Sequence, residues 1–417
     1  MKLQTILTRL QKLHPKEIDL SLDRVKNLCK KLGNPQDNLK CISIVGTNGK
    51  YSTIQAIRAI LKEAGINVNI YSSPHIQKIN ERFIYNDKEI SDENLVKLLN
   101  EVEEINNGEP ITYFEILTAA YFYHAKNFDN INFIESGLFH RFDATNIINK
   151  NLASIVTAIG LDHLDWLPKN ERTIDKIVFE KTSSLLNSKI IISNQNSSEI
   201  INIIKNNISY NSSKKIIYNE DFSCSENENG FIYYEDKIGG IKLPKPNILG
   251  EFQIDNIAAA IATLRNLDFK IQEDQIKKGI TKIKSIARLQ EIKSGKLKDL
   301  CKNNKIFVDG SHNPLGAKVL NTYLDNFNCN KHIILGMMEN KDHQEYMSYF
   351  KNIASLTTVD IPNQTNAIKG IELKNKFLNA QFRESIEEAI NKLNLQENDI
   401  VVITGSFYLA GEVLNLN

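Results

Sequence analysis

From Cys41 onward the chain repeats one pattern: a short apolar run, a turn, then an amphipathic stretch of helical period. CISIVG (from Cys41) is followed by STIQAIRAILKEAG (from Ser52), which Gly65 closes. NVNIYSS (from Asn67), INFIESG (from Ile131), ASIVTAIG (from Ala153) and KIIISN (from Lys189) are further apolar runs, with helical patterns between most of them. Continuous apolar runs of this length read as buried strands, and strands that alternate with helices build a sheet covered on both faces. The pattern therefore predicts an α/β fold with a largely parallel, twisted sheet.

The rhythm breaks from about Ser197 to Leu243, an Asn/Ser/Lys-rich stretch that ends in GFIYYEDKIGGIKL, which alternates like an antiparallel hairpin. NIAAAIATLRNL (from Asn256) is a strong helix, and ITKIKSIARLQEIKSG reads as a crossover into a second α/β unit. NKIFVDGS, KHIILGMM, LTTVDI and DIVVITGS supply its strands, and PLGAKVLNTYL and QEYMSYFKNI its helices. The expected organisation is an N-terminal P-loop-type domain with a mostly parallel sheet, residues 1–286, and a smaller C-terminal Rossmann-like α/β domain, residues 287–417. The boundary is placed within Ile283–Glu291. At 417 residues the chain is too long for one ordinary core, which agrees with two domains. A formal charge of +1 supplies no global field toward nucleic acid or an anionic membrane. The five cysteines form no CxxC pair, no window is apolar enough to cross a membrane, and the N-terminal MKLQTILTRLQKLHPKEIDL lacks a signal-peptide core. A cytoplasmic protein with neither nucleic acid nor membrane as partner is expected.

The first strand–helix junction reads G-T-N-G-K. Backbone amides of a tight glycine turn and the dipole of the helix that follows converge on one place and favour an anion there. Gly46, Thr47, Asn48, Gly49 and Lys50 form this loop, with Lys50 as a mobile, exposed cation for phosphate. Gly46 precedes Gly49 by three residues only, so the loop is shorter than G-x-x-x-x-G-K-[ST]. Tyr51 stands where the hydroxyl is usual, and the hydroxyls come later, at Ser52 and Thr53. Other strand ends carry polar groups: Ser72, Ser73 and His75 in YSSPH, Glu135 in FIESG, Asp162 and His163 in AIGLDHLDWL. VFEKTS adds Glu180 and Lys181 on a helix. A phosphate loop with a serine, a carboxylate and a histidine nearby suits Mg²⁺–ATP. Taken singly, each has a structural role open to it: Glu135 as a helix cap, His163 orienting an aspartate, Lys181 on a solvated face.

GTNGK, YSSPH…NERF, TYFEILTAAYFY, GLDHLDWL, FEKTS, LGEFQIDNIAAA, DGSHNP and TGSFYLAGEV occur in the order found in folylpolyglutamate synthases and bifunctional dihydrofolate synthases. The chain resembles that family, part of the Mur ligase superfamily, from about Leu20 to Val413. The resemblance implies an ATP-dependent amide ligase that phosphorylates a carboxylate and lets the amine of L-glutamate attack the acyl phosphate. Its substrates would be dihydropteroate or folate, L-glutamate and ATP. Gly46, Thr47, Asn48, Gly49, Lys50 and Ser52 match the family's phosphate loop. Ser73, Glu135 and His163 match its magnesium ligands, and Lys181 a lysine that the family carbamylates. The catalytic set it implies is Lys50, Glu135, His163 and Lys181. Asn256, Arg288 and Asp309 match residues that hold ATP, and His312 a position on the glutamate and nucleotide side. Two Mg²⁺ ions are implied. Potassium is a further candidate ion, with no residue in the sequence to mark its site. The resemblance favours a monomer. IDLSLDRVKNLCKKLG (from Ile18) is similar to the segment with which bifunctional members hold dihydropteroate, so both activities are expected.

The chain departs from the family beside these motifs. Tyr51 replaces a glycine of the loop. In ESGLFHRFDATN, Phe139 and His140 stand for two glycines, while Arg141, Asp143, Thr145 and Asn146 remain, and Phe252 replaces a common histidine. Glycine pairs often permit positive φ or a close backbone approach, so bulk there could reshape the site. Three rivals remain beside the ligase. A cell-wall Mur ligase needs a UDP-binding domain ahead of the phosphate loop, for which the stretch before Gly46 is too short. A non-catalytic nucleotide or folate binder is suggested by Tyr51, Phe139 and His140. A generic P-loop phosphotransferase or GTPase lacks the standard loop spacing, and Asn340-Lys341-Asp342 only superficially mimics a guanine motif.

Overall fold

The computed structural model describes residues 2–16, 19–227 and 231–417. The chain folds as two compact units. The first comprises residues 1–159, 168–245 and 254–283, and the second 160–167, 246–253 and 284–417.

Among the described residues the first unit holds an eight-stranded sheet. Its strands are β1 (Cys41–Val45), β2 (Val68–Tyr71), β3 (Phe83–Tyr85), β4 (Lys88–Glu89), β5 (Ile131–Glu135), β6 (Ala153–Val156), β7 (Lys189–Ile192) and β8 (Lys215–Ile217). The order is β4-β3-β2-β5-β1-β6-β7-β8. β2 to β8 across β5, β1, β6 and β7 are parallel, and β3 and β4 run antiparallel at one edge. All five residues of β1 are buried, which is why its sequence is apolar without alternation. The parallel register puts the ends of β1, β2, β5 and β6 on one edge of the sheet. Gly46, Ser72, Glu135 and Thr157 lie at or just beyond those ends.

The segment from Ser197 continues the strand–helix rhythm instead of breaking it. Ser198–Asn207 is a helix, capped by the Ser197 hydroxyl, and it leads to β8. The low apolar content there reflects an edge strand. The antiparallel pairing expected for GFIYYEDKIGGIKL is present from Phe231, since Gly230 lies outside the described residues. β10 (Ile232–Asp236) pairs with β11 (Ile241–Leu243), and β9 (Phe222–Glu226) adds a third strand that the sequence pattern does not reveal.

The helix Lys50–Glu63 leads from β1, and the helix Glu273–Ile280 crosses it at Gly279. A Cβ built on Gly279 would lie 2.6 Å from Ile60 Cα and 2.8 Å from Ile60 N. The contact is with main chain, so no rotamer change can relieve it.

In the second unit the six-stranded sheet has the order β12-β13-β17-β14-β15-β16. The strands are β12 (Gln290–Glu291), β13 (Lys305–Val308), β14 (Lys331–Leu335), β15 (Ser355–Val359), β16 (Gln381–Arg383) and β17 (Ile400–Thr404). Of these strands only β12 is antiparallel. Four of them coincide with the runs picked out in the sequence, while the short β12 and β16 carry no apolar signal. At the N-terminal edge the buried His332 joins neighbouring strands. Its Nδ1 lies 2.8 Å from Ser355 Oγ, and its Nε2 3.2 Å from Asp399 Oδ2. Asp399 also accepts the Gln396 amide at 2.7 Å. Burial pushes the Asp399 carboxyl up, but the Gln396 amide and His332 outweigh it and hold the group below its ordinary value.

Two expectations follow. Gly279→Ala should lower stability by about 1–2 kcal/mol in urea unfolding, because overpacking against main chain outweighs the helix propensity gained. A neutral or stabilised variant would show that the helices do not meet there. The second concerns acid. Because the folded pKa of Asp399 is depressed, its contribution is complete above the unfolded value of about 3.9 and is lost as pH falls through the folded value. Asp399→Asn should therefore destabilise at neutral pH and flatten the loss of stability below about pH 4, measured as denaturant midpoints against pH. An unchanged acid slope would remove Asp399 from that role.

Candidate functional site

In the first unit the site grows from the end of β1. Gly46 has φ 144° and Gly49 φ 90°, both left-handed, where a side chain is strained. Neighbouring side chains crowd one as well. A Cβ on Gly46 would sit 2.0 Å from Thr157 Oγ1, and one on Gly49 2.4 Å from Asn256 Oδ1. The Thr47 and Asn48 amides donate to the Ala158 carbonyl at 2.9 and 3.1 Å, which ties the loop to the segment after β6. Gly49 is the N-cap of the helix that begins at Lys50. The first-turn amides of such a helix lack intrahelical acceptors and carry the positive end of its dipole. Tyr51 is half-buried on this first turn, Ser52 is buried, and Tyr51 has an ordinary negative φ. The tyrosine therefore leaves the loop backbone undistorted.

Lys50 is not the exposed cation expected from the sequence. Its side chain is 12% exposed, and Nζ donates to the carbonyls of Gly46 (3.2 Å) and Thr47 (3.1 Å). It also lies 3.9 Å from Glu135 Oε1. Glu135, 4% exposed at the end of β5, accepts the Ser73 amide on Oε2 at 3.3 Å, so β2 and β5 bring Ser73 to this carboxylate. Lys181 sits in the helix Ile174–Thr182 and is 2% exposed rather than on a solvated face. Its Nζ donates to Gly46 O at 3.0 Å and to Leu138 O at 3.1 Å. Asn256, besides flanking Gly49, accepts from Thr53 Oγ1 at 3.5 Å. The first unit thus gathers Gly46, Gly49, Lys50, Ser73, Glu135, Lys181 and Asn256 of the expected residues.

The unusual pair beside Lys181 is accommodated inside the protein. Phe139 and His140 are both buried and neither has positive φ, so no glycine is required at either place. The Phe139 ring centroid is 5.7 Å from Lys181 Nζ. His140 Nδ1 lies 3.0 Å from Ser136 Oγ, and its amide donates to Glu180 O at 3.0 Å. Burial, reinforced by the Lys181 charge, pushes the His140 imidazole down to about 4, so it is neutral at physiological pH. Asp143 fastens the loop from below and accepts the Gly137 and Leu138 amides at 2.9 and 3.0 Å. Glu180 anchors Arg141 through two hydrogen bonds of 2.9 and 2.7 Å.

Further along from the same end of β2, the Glu81 carboxylate accepts the amides of Ile76, Gln77 and Lys78, and Arg82 Nε donates to His75 Nδ1 at 3.0 Å. Burial and Arg82 depress His75 to about 3. Of the N-terminal segment assigned to dihydropteroate, Ile18 lies outside the described residues. Arg24 makes two hydrogen bonds to Glu115 (3.0 and 2.9 Å) and two to Asp19, at the carboxylate (3.1 Å) and the main-chain carbonyl (2.7 Å), while Glu115 caps its helix through the Thr112 amide.

His163 and Asp162 belong to the second unit. Within it the buried Asp162 carboxylate accepts from Lys341 Nζ at 2.7 Å and Asn313 Nδ2 at 3.1 Å, and both His163 Nε2 and His312 Nε2 stand 3.7 Å from Oδ2. Burial pushes this carboxyl up, but His163, Lys341 and His312 outweigh it and hold the group well below the ordinary range. Asp309, just past β13, accepts the Leu289 amide at 2.6 Å and the Ser311 amide at 2.8 Å. It fixes the segment around Arg288, where Ala287 (φ 52°) and Leu289 (φ 48°) are both left-handed without being glycine. The Arg288 guanidinium lies 4.3 Å from the Phe407 ring centroid, and the His312 ring stands edge-on to the same ring at 4.9 Å. Sequence reasoning missed Phe407, Lys341 and Thr157. Phe407 and Lys341 lie in stretches already singled out, but their partners are distant in sequence. Thr157 lies in the run ASIVTAIG, where nothing local marks it as a neighbour of Gly46.

Among the described residues no three His, Cys, Asp or Glu side chains gather into a metal cluster. The first unit instead offers one buried carboxylate, Glu135, beside Ser73. Hard oxygen donors too few to enclose an ion suit Mg²⁺, which keeps waters and shares substrate phosphates.

Two family models match in chain order: the Mur ligase middle domain over residues 44–264, and the Mur ligase glutamate ligase domain over residues 288–407. Among curated relatives, the dihydrofolate synthase/folylpolyglutamate synthase of Buchnera aphidicola subsp. Acyrthosiphon pisum is 29% identical, over 98% of this chain and 97% of its own. The Bacillus subtilis protein of the same name is 27% identical over 94% of each. Among solved structures, Escherichia coli FolC in complex with DHPP and ADP superposes with a TM-score of 0.87 at 25% identity, covering 100% of this chain and 97% of that one. The middle-domain model alone spans more than half of the residues and takes in the glycine loop, Glu135, Lys181 and Asn256, so the chain belongs to the Mur ligase family.

Proposed function

We propose that this protein is an ATP-dependent ligase that joins L-glutamate to dihydropteroate and to the glutamate chain of reduced folates. The observation that carries the reading is the convergence of Lys50 and Lys181 on the Gly46 carbonyl, beside Glu135, at the start of a helix. Two cationic side chains and a helix N-terminus around a left-handed glycine turn favour a polyphosphate. The dihydrofolate synthase/folylpolyglutamate synthases to which the chain is similar supply the acceptor class, and the match to the glutamate ligase domain supplies the amine.

The chemistry runs in two steps. A carboxylate oxygen of the acceptor attacks the γ-phosphorus of ATP, the bond to the β-phosphate bridging oxygen breaks, and ADP leaves. The neutral amine of glutamate then attacks the acyl carbon, phosphate leaves with the bonding pair, and the nitrogen loses a proton. This chain's part is positioning and charge neutralisation. Lys50 would exchange its loop carbonyls for phosphate oxygens. Asn256 stands against the loop at Gly49, and in the second unit Arg288, Asp309 and His312 are assigned to ATP and the incoming glutamate. Ser73, Glu135 and His163 would hold Mg²⁺, which supplies Lewis-acid polarisation of the phosphoryl oxygens. A second Mg²⁺ and a potassium ion are part of the proposal without an assigned geometry.

Lys181 has two readings. As a carbamate, formed when its neutral amine adds CO₂ and releases a proton, it would offer oxygens to a second ion. As an ammonium it ties Gly46 to Leu138 through hydrogen bonds of 3.0 and 3.1 Å. Lys181→Ala distinguishes them. Partial restoration of turnover by short-chain carboxylates supports the carbamate, whereas a loss that no carboxylate relieves supports the ammonium tie.

The function itself is tested by ADP release with Mg²⁺–ATP and L-glutamate, once with dihydropteroate and once with tetrahydrofolate. Release with both is expected. Release with tetrahydrofolate alone would restrict the protein to chain extension. No release from folded protein that binds ATP would sink the ligase reading and point to a nucleotide or folate binder.

A further inference from the structure

Between β6 and the helix Ile174–Thr182, the turn 162–165 carries His163 in a left-handed conformation, φ 57°. Such a backbone persists in a non-glycine residue only when its surroundings hold it. Here adjacent residues of one loop hold it at two points. Lys341 Nζ donates to Asp162 Oδ1 at 2.7 Å, and Asn340 Nδ2 donates to Asp165 Oδ2 at 3.0 Å. Asn313 Nδ2 takes the other Asp162 oxygen at 3.1 Å, while Oδ1 also accepts the His163 amide at 2.9 Å. The Asp162–Lys341 pair is largely buried, with side chains 5% and 12% exposed. Gly160 leads into the turn against Leu315, whose Cδ2 would be 3.0 Å from an added Cβ.

We infer that Lys341 is a positioning residue: by pinning Asp162, with Asn340 pinning Asp165, it fixes the turn that presents the His163 imidazole. Removing the lysine takes away the ammonium on Oδ1 and leaves the buried carboxylate with the Asn313 amide and two imidazoles at 3.7 Å, and the turn relaxes to hydrate it. The effect reaches a bound metal ion only through His163, as partners of a metal ligand usually act. This rests on the proposed role of His163 as a metal ligand.

The test titrates Mn²⁺ into the full chain with a non-hydrolysable ATP analogue and reads free Mn²⁺ by EPR, alongside thermal unfolding. His163→Ala and Lys341→Met should each weaken Mn²⁺ binding about 10-fold or more. Lys341→Arg, which keeps the cation, should restore most of it. A folded Lys341→Met protein with a lower unfolding midpoint but wild-type Mn²⁺ affinity, beside a weakened His163→Ala, would make the pair merely structural and overturn the inference. Wild-type affinity in His163→Ala would instead show that the ligand assignment fails, and the inference with it. If Lys341→Met does not fold, Asn340→Ala decides. Asn340 is exposed and holds Asp165 through its side-chain amide, so weakened Mn²⁺ binding supports the clamp and unchanged binding overturns it.

Discussion

The Gly46 carbonyl accepts from both Lys50 and Lys181, and much of the first unit is arranged so that it can. The turn must leave β1 in a left-handed conformation and pass against Thr157 with no room for a side chain. β1 must lie between β5 and β6, so that Glu135 and the Thr157–Ala158 segment flank the loop. The helix from Ile174 must bury an ammonium at its last turn. Two like charges within reach of one carbonyl repel each other, and the Glu135 carboxylate lies 3.9 Å from Lys50. The arrangement is poised for an anion, and a triphosphate supplies one.

The residues that depart from the family pattern look different in three dimensions. Phe139 and His140 occupy the interior beside Lys181 with ordinary backbone angles, and His140 is neutral and bonded to Ser136. Tyr51 lies in the first turn of a regular helix. Bulk at these places changes what lines the neighbourhood of Lys181 while the loop geometry stays intact. That separates the question of substrate fit from the question of whether the phosphate loop can form.

The second unit is organised by carboxylates that hold other residues. Asp309 fixes the strained segment around Arg288, and Asp162 gathers His163, His312, Asn313 and Lys341. Phe407 supplies a ring against which Arg288 and His312 both rest. Neither role could be read from spacing, because each joins segments far apart in the chain.

Strand–helix alternation, the glycine loop and the polar strand ends were legible in the sequence, since they rest on local rules of burial period, backbone freedom and parallel register. The helix and edge strand after Ser197 were not, because an edge strand and a half-exposed helix need little apolar material. Nor was the burial of Lys50 and Lys181, which sequence composition treats as solvated charge. What the tertiary structure decided is which distant groups meet: Lys181 with Gly46, Asn256 with Gly49, Lys341 with Asp162. Local sequence sets the conformation available to each segment. Only packing of whole sheets and helices fixes the partners that a buried charge requires.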